Sequence, residues 1–266
     1  MEYKILTLSD QNYPKRLLKR LGQSSPEQIF CHGPLDFLNR FTVAVISADS
    51  ISGLAMMAAN QLLFSIREYN LNFIGGWHSV METEIFQLGL FRKNLTVTLF
   101  TAKGLERETF ESFLQTRFYP PLHEFPEREE YFRRAKEGNL LMLSVSPPKE
   151  ARMKRLNIIN RNWLACVLSD VVFVPFAEKG TKTLSLAKRV LAAQIPIFTT
   201  DHEANKPLHQ LGIPGLSRKL VGDYLENLGA DRASPFKEDQ NQIVLHEPNV
   251  EPEDKSPRFL QGKLNF

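Results

Sequence analysis

The chain has 266 residues, 42% of them hydrophobic and 24% charged, with a formal net charge of +3 at pH 7. That length predicts one large α/β domain with appendages or two small domains, and the ordinary apolar fraction excludes a disordered or fibrous body. Between 230 and 266 seven acids stand against five bases, so the excess base belongs to residues 1–229, weak support for a polyanionic partner. Cys31 and Cys166 lack the CxxC spacing of a zinc or redox site and are expected as buried thiols. The opening residues turn polar within the first ten and no apolar run reaches membrane length, so a cytoplasmic protein without a membrane partner is expected.

In chain order, the first forty residues read as a lead-in. It holds a short helix over "YPKRLLKRL", entered through Pro14, and a strand over "EQIFCHG". From Phe41 apolar runs alternate with amphipathic stretches: "FTVAVIS", "SGLAMMAANQLLFSIREY", "LNFIGG", "SVMETEIFQLGLF", "NLTVTLFTA". A proline-interrupted insertion, "KGLERETFESFLQTRFYPPLHEFPEREEYFRRAKEG", predicts one or two helices over the carboxyl edge of a sheet. A second series follows: "NLLMLSVS", "KEARMKRLNIINRNWLACVLS", "VVFVPFA", "TKTLSLAKRVLAAQ", "IPIFTT". Short Val/Ile/Leu/Phe strands alternating with helices predict an α/β, doubly wound, mostly parallel Rossmann-like sheet over residues 41–229. The polar, proline-punctuated stretch 230–266 is expected to be a flexible tail.

Two strand-to-helix turns could carry phosphate chemistry. In "EKGTKTLSLAKR", Gly180 suits a tight turn, and the first free N–H groups of the next helix, with Lys179, Thr181, Lys182 and Thr183, could hold an anion. The same residues also make a plain cap, with Thr181 or Thr183 capping and the lysines in solvent, and the two readings stand side by side. In "FIGGWHSVMETE", Gly75 and Gly76 permit close approach of a ligand, Ser79 can cap the helix, and Trp77 either stacks on a base or packs in the core. On the helix that precedes "VVFVPFA" and the "EKGTKT" turn, Lys154, Arg155, Arg161 and Asn162 fall on one side, with Leu156, Ile159, Trp163 and Val167 as the expected buried stripe.

Catalytic constellations are poor. The six histidines show no HExxH or other metal spacing, no GxSxG elbow accompanies a base, and neither a G-x-G-x-x-G nor a Walker pattern is present. Pairs such as Glu82/Glu84 and Glu129/Glu130 read as solvated helix faces, so no enzyme, cofactor or metal is expected.

The segments "NYPKRLLKRLGQSSPEQIFCHGPL" and "RNWLACVLSDVVFVPFA" resemble the DNA-processing protein A (DprA/Smf) family. The latter resembles its Arg-Asn-Arg-Ile-Ile-Ala-Gly-Leu-Ser-Asp run, with Arg161, Asn162, Leu168, Ser169 and Asp170 in place. Element order agrees from about residue 12 to 200. Ser47, Ala48 and Asp49 replace the family's Gly-Ser-Arg, so an acid stands for an arginine, and Phe176 replaces a strand-terminal acid. "GGWHSVME" keeps Gly76 and an acid at Glu82, Ile85-Phe86 replace an Ala-His, and "KGTKTLSLA" replaces a Ser-Gly-Ser turn. The resemblance implies a diverged, non-catalytic protein of DNA recombination that binds single-stranded DNA along the carboxyl edge, through Arg161, Asn162, Lys179, Gly180, Thr181 and Lys182 with Gly75, Gly76, Ser79 and Trp77 facing them. It further implies a recombinase as partner and a possible homodimer. One alternative is a regulatory partner in an antiphage or toxin–antitoxin pair, for example beside a phosphoribosyltransferase toxin; a weaker one is an enzyme or sensor acting on a nucleoside monophosphate.

Overall fold

The structure is a computed structural model that describes residues 2–117 and 128–234. Its core strands are the apolar runs: β3 (Thr42–Val45), β4 (Leu71–Gly75), β5 (Leu95–Phe100), β6 (Leu140–Ser144), β7 (Val171–Phe173) and β8 (Ile197–Thr200). Every residue of these six strands is buried, as expected of parallel strands covered on both faces. With β1 (Lys4–Thr7), β2 (Gln28–His32) and β9 (Gly215–Leu216) they form a nine-stranded sheet in the order β1-β2-β6-β5-β4-β3-β7-β8-β9. The strands from β6 to β9 run parallel, and β1 and β2 pair antiparallel at one end.

One face is covered by α2 (Gly53–Ile66), α3 (Val80–Phe91), α4 (Phe110–Arg117), α5 (Arg128–Arg134) and α9 (Val221–Asn227), around Leu62, Phe73, Ile85, Phe86, Phe113 and Leu225. The other face is covered by α1 (Lys15–Leu21), α6 (Arg155–Leu168), α7 (Lys182–Ala192) and α8 (Lys206–His209), around Leu17, Leu143, Leu164, Val172 and Val190. From β3 the chain steps outward to β6, then returns through α6 to β7 on the far side of β3. The strand order therefore reverses between β3 and β7, and ligands of open α/β sheets collect above such a reversal, at the carboxyl ends of the strands.

Three departures from the sequence reading have physical causes. The lead-in is part of the sheet: "KILT" forms β1, a short edge strand with two exposed residues, so it lacked a buried-strand signature. The helix expected from Lys149 begins at Arg155, because Pro147 and Pro148 open a turn in which Glu150 N donates to Pro147 O at 2.8 Å. The body also runs past residue 229: Ala230 is buried in the core, Asp231 O accepts from Asn70 N at 2.9 Å, and Ala233 N donates to Glu68 O at 2.9 Å. Residues 1–233 form one compact unit. The insertion does hold two helices, α4 and α5; its residues 118–127, and the expected flexible tail from 235 onward, lie outside the described residues.

A chain ending at Ser234 is expected to melt with the full-length protein, whereas one ending at Gly229 loses the pairing to residues 68–70 and about 2 kcal/mol of stability. Urea unfolding of the two truncations checks this, and equal stability would contradict the placement of 230–233 in the body.

Candidate functional site

Arg161 organises the carboxyl edge. It is 1% exposed, its Nη1 donates to Phe100 O at the end of β5 at 2.9 Å, and its Nη2 lies in hydrogen-bond contact with His78 Nε2. A guanidinium only donates, so in this contact His78 Nε2 is the accepting atom. The guanidinium lies against Gly76: a β-carbon there would stand inside contact distance of Nη1, Cζ and Nη2. Gly76 is therefore required for close approach of a side chain, a different reason from the turn geometry or ligand approach expected of it.

Beside this group Ser79 caps α3, accepting from Glu82 N at 3.2 Å. The Glu82 carboxylate accepts from Ser47 N at 3.0 Å and from His78 N at 2.8 Å. Burial raises the Glu82 pKa above the ordinary carboxylate value, opposed by those backbone donors and by the Arg161 charge. The loops after β3 and β4 and the last residue of β5 are thus tied together by one carboxylate and one guanidinium.

At the reversal between β3 and β7 the crevice is filled. Ala48 N donates to Phe176 O at 3.0 Å, Thr183 Oγ1 donates to Ser47 O at 3.2 Å, and Phe176 packs against Ala48 and Ala55. What remains accessible lies above the edge. Lys179, Gly180 and Lys182 are exposed, and Gly180 has φ +80°, the left-handed conformation the turn needs. Thr181 accepts from Leu184 N at 3.2 Å and donates to Glu178 O at 2.7 Å, so it serves as the cap of α7 and leaves its lysine neighbours to solvent.

The main correction concerns α6. Residues 155–160 are exposed or half-buried, whereas from Arg161 to Leu168 all but Asn162 are buried. Arg161 touches the last residue of β5, so the six residues before it project about 9 Å beyond the sheet. Leu156 and Ile159, expected in the buried stripe, are 74% and 42% exposed, while Arg161, expected on the exposed stripe, is enclosed; Trp163 and Val167 are buried as expected. The projecting end carries Arg152, Met153, Lys154, Arg155, Leu156 and Ile159, all exposed, a mixed basic and apolar surface that helical periodicity concealed.

Trp77 is also corrected. It is 0% exposed, Nε1 donates to Thr98 O at 3.1 Å, and its ring meets Phe86 edge-on at 5.4 Å, so it is a core residue and no platform for a base. Gly75 lies in ordinary contact with the Trp77 ring, so the glycine pair makes room for protein side chains. Asn162 is half-buried beside Arg161. Asp49 is exposed on the loop after β3, a negative charge at the same edge. Cys31 and Cys166 are free and buried, and burial pushes both thiols up to about 12. Among the described residues no group of three or more His, Cys, Asp or Glu could hold a metal ion, and no helix is long and apolar enough to cross a membrane.

The sheet and its two helical layers define a Rossmann-like protein, with Phe176 packed into the crevice at the reversal. Residues 4–113 match the model of the family described as DNA recombination-mediator protein A. The fold is that of DprA from Streptococcus pneumoniae, with a TM-score of 0.66 and 18% identity over 85% of this chain and 74% of that one. DprA from Helicobacter pylori, described for its single-stranded DNA binding mode, aligns with a TM-score of 0.64 and 18% identity over 85% of this chain and 97% of that one. No curated protein matches the sequence.

The contact between Arg161 and Gly76 predicts strong coupling. Gly76→Ala should destabilise the protein by about 2 kcal/mol through overpacking, and by much less in an Arg161→Ala background where the guanidinium is gone. Denaturant unfolding of the four proteins in the cycle measures this, and an equal cost in both backgrounds would show that the two residues do not meet.

Proposed function

We propose that the protein binds single-stranded DNA across the carboxyl edge of its sheet and acts on it as a scaffold, without catalysis. The observation that carries this reading is the surface above the edge: the projecting end of α6 and the turn before α7 present Arg152, Lys154, Arg155, Lys179 and Lys182 with exposed Met153, Leu156 and Ile159 among them. Cations interleaved with apolar side chains suit an unpaired strand, whose phosphates take the charges and whose bases cover apolar surface. The strands that lead into the two basic segments, β6 and β7, lie four strand intervals apart in the sheet, about 19 Å, which suits an extended polymer better than a mononucleotide.

Phe176 supports the absence of turnover. It occupies the crevice where a nucleotide would sit in related α/β folds, and Asp49 adds a charge that repels a phosphate there. The anion contacts then fall to the flanking lysines and arginines, outside the reversal itself. DNA processing, the work of the family and the fold, is the setting in which such a surface is useful. Arg161 keeps a part in this reading as the residue that positions the loops.

Lys179→Ala with Lys182→Ala, and separately Arg152→Ala with Arg155→Ala, should each weaken binding of a thymidine oligomer. Each should lower the salt slope by about 0.7 for every phosphate that the variant no longer holds. Leu156→Asp should weaken binding at all salt concentrations. Fluorescence anisotropy across a salt series checks all three, and unchanged slopes in both double variants would remove the edge from the account.

A further inference from the structure

A groove of about 860 Å³ runs along α6 on the face of the sheet that α1 and α7 cover. Arg20 of α1, Trp163 of α6 and Arg189 of α7 line it, with Pro26, Pro147 and Pro148. Both guanidiniums are held in place. Arg20 Nη1 donates to Val167 O at 2.7 Å and to Ser169 O at 2.5 Å, closing the carboxyl end of α6, and Arg189 lies over the Trp163 ring at 3.8 Å from its centroid. Neither charge is met by an acid: Asp170 pairs with Arg16 at 2.6 Å, and among the described residues no carboxylate forms an ion pair with Arg20 or Arg189. Burial holds the Arg20 pKa below the ordinary arginine value, so an arriving anion would relieve a half-buried charge.

We propose that this groove takes an acidic peptide segment of a partner protein, its carboxylates paired with Arg20 and Arg189 and its apolar side chains laid on the proline-lined rim. Charge complementarity selects the carboxylates. Arg20 Nε and Nη2, and every N–H of the Arg189 side chain, donate to nothing among the described residues, and a fixed guanidinium fork meets a carboxylate through two parallel bonds. The walls select a peptide over a nucleic acid strand. The face of Trp163 is covered by Arg189, and Phe30, the other aromatic of the lining, is 6% exposed, so a base finds no platform there. Exposed Glu27 stands in the lining as well, a charge that a continuous run of phosphates would meet and that spaced carboxylates can avoid. From Asn160, which also lines the groove, to Val167, whose carbonyl holds Arg20, α6 rises about 10 Å, the length of three extended residues. The groove is built from residues other than Lys179 and Lys182, so the inference stands apart from the reading of the carboxyl edge.

Short random peptides displayed on phage and selected on the immobilised full chain should enrich sequences that combine Asp or Glu with Leu, Ile or Phe. The enriched peptides, made synthetically and followed by fluorescence anisotropy, should bind Arg189→Glu at least about tenfold more weakly than the parent, with far-ultraviolet circular dichroism unchanged. Gln28→Glu, which adds an acid at an exposed position of the lining, should weaken them in the same direction. Lys179→Ala with Lys182→Ala should leave peptide affinity unchanged, which separates this groove from the carboxyl edge. No enrichment, a neutral or basic consensus, or full affinity in both groove variants would each overturn the proposal. So would loss of affinity in the lysine pair alone, or displacement of the peptides by a thymidine oligomer, which would give the groove to nucleic acid.

Discussion

A single buried guanidinium holds the working edge of this protein together. Arg161 reaches from α6 to the last carbonyl of β5, to His78 in the loop after β4, and across the bare backbone of Gly76. An enclosed arginine is tolerated where its charge is offset and its donors are engaged, and here a carbonyl takes Nη1, an imidazole meets Nη2 and the nearby Glu82 carboxylate offsets the charge. Glu82 in turn fastens the loop after β3 through Ser47 N. The loops after β3 and β4 are thereby fixed to the sheet, and α6 is held to the end of β5.

That attachment gives the edge its character. Asn157 ties the first turns of α6 to Ala102 O and Ser146 Oγ, each at 3.4 Å, while Arg155, Leu156 and Ile159 stay exposed, so apolar and basic side chains share one accessible surface. The turn before α7, with Gly180 in the left-handed conformation and Thr181 closing the helix end, sets Lys179 and Lys182 at the far side of the same edge. Between them Phe176 occupies the crevice, so the surface is broad rather than deep.

Much of this was legible in the sequence. The six core strands and the helices α1, α2, α3, α6 and α7 announced themselves through runs of Val, Ile, Leu and Phe alternating with amphipathic stretches, whereas α8 and α9, short helices after the last core strand, did not. The capping role of Ser79, and one of the two roles open to Thr181, could be read from position alone. What periodicity could not show is that a helix can pack along half its length: Leu156 and Ile159 obey the apolar spacing of α6 but lie beyond the sheet that would bury them. Nor could Arg161 be read as enclosed, since a guanidinium over a glycine leaves no signal except the glycine, and "GG" reads first as a turn. Trp77, beside those glycines, looked available to a base, yet its φ of 57° turns the ring into the core beside Phe86.

The most direct measurement of the central claim is photo-cross-linking of a bromouridine-substituted single strand to the unmodified protein, with the adducts mapped by mass spectrometry. Adducts concentrated in residues 149–160 and 178–183 are the predicted result. Adducts confined to α1, β1 and β2, or no cross-linking at low salt, would contradict the account of the carboxyl edge as the place where a strand is held.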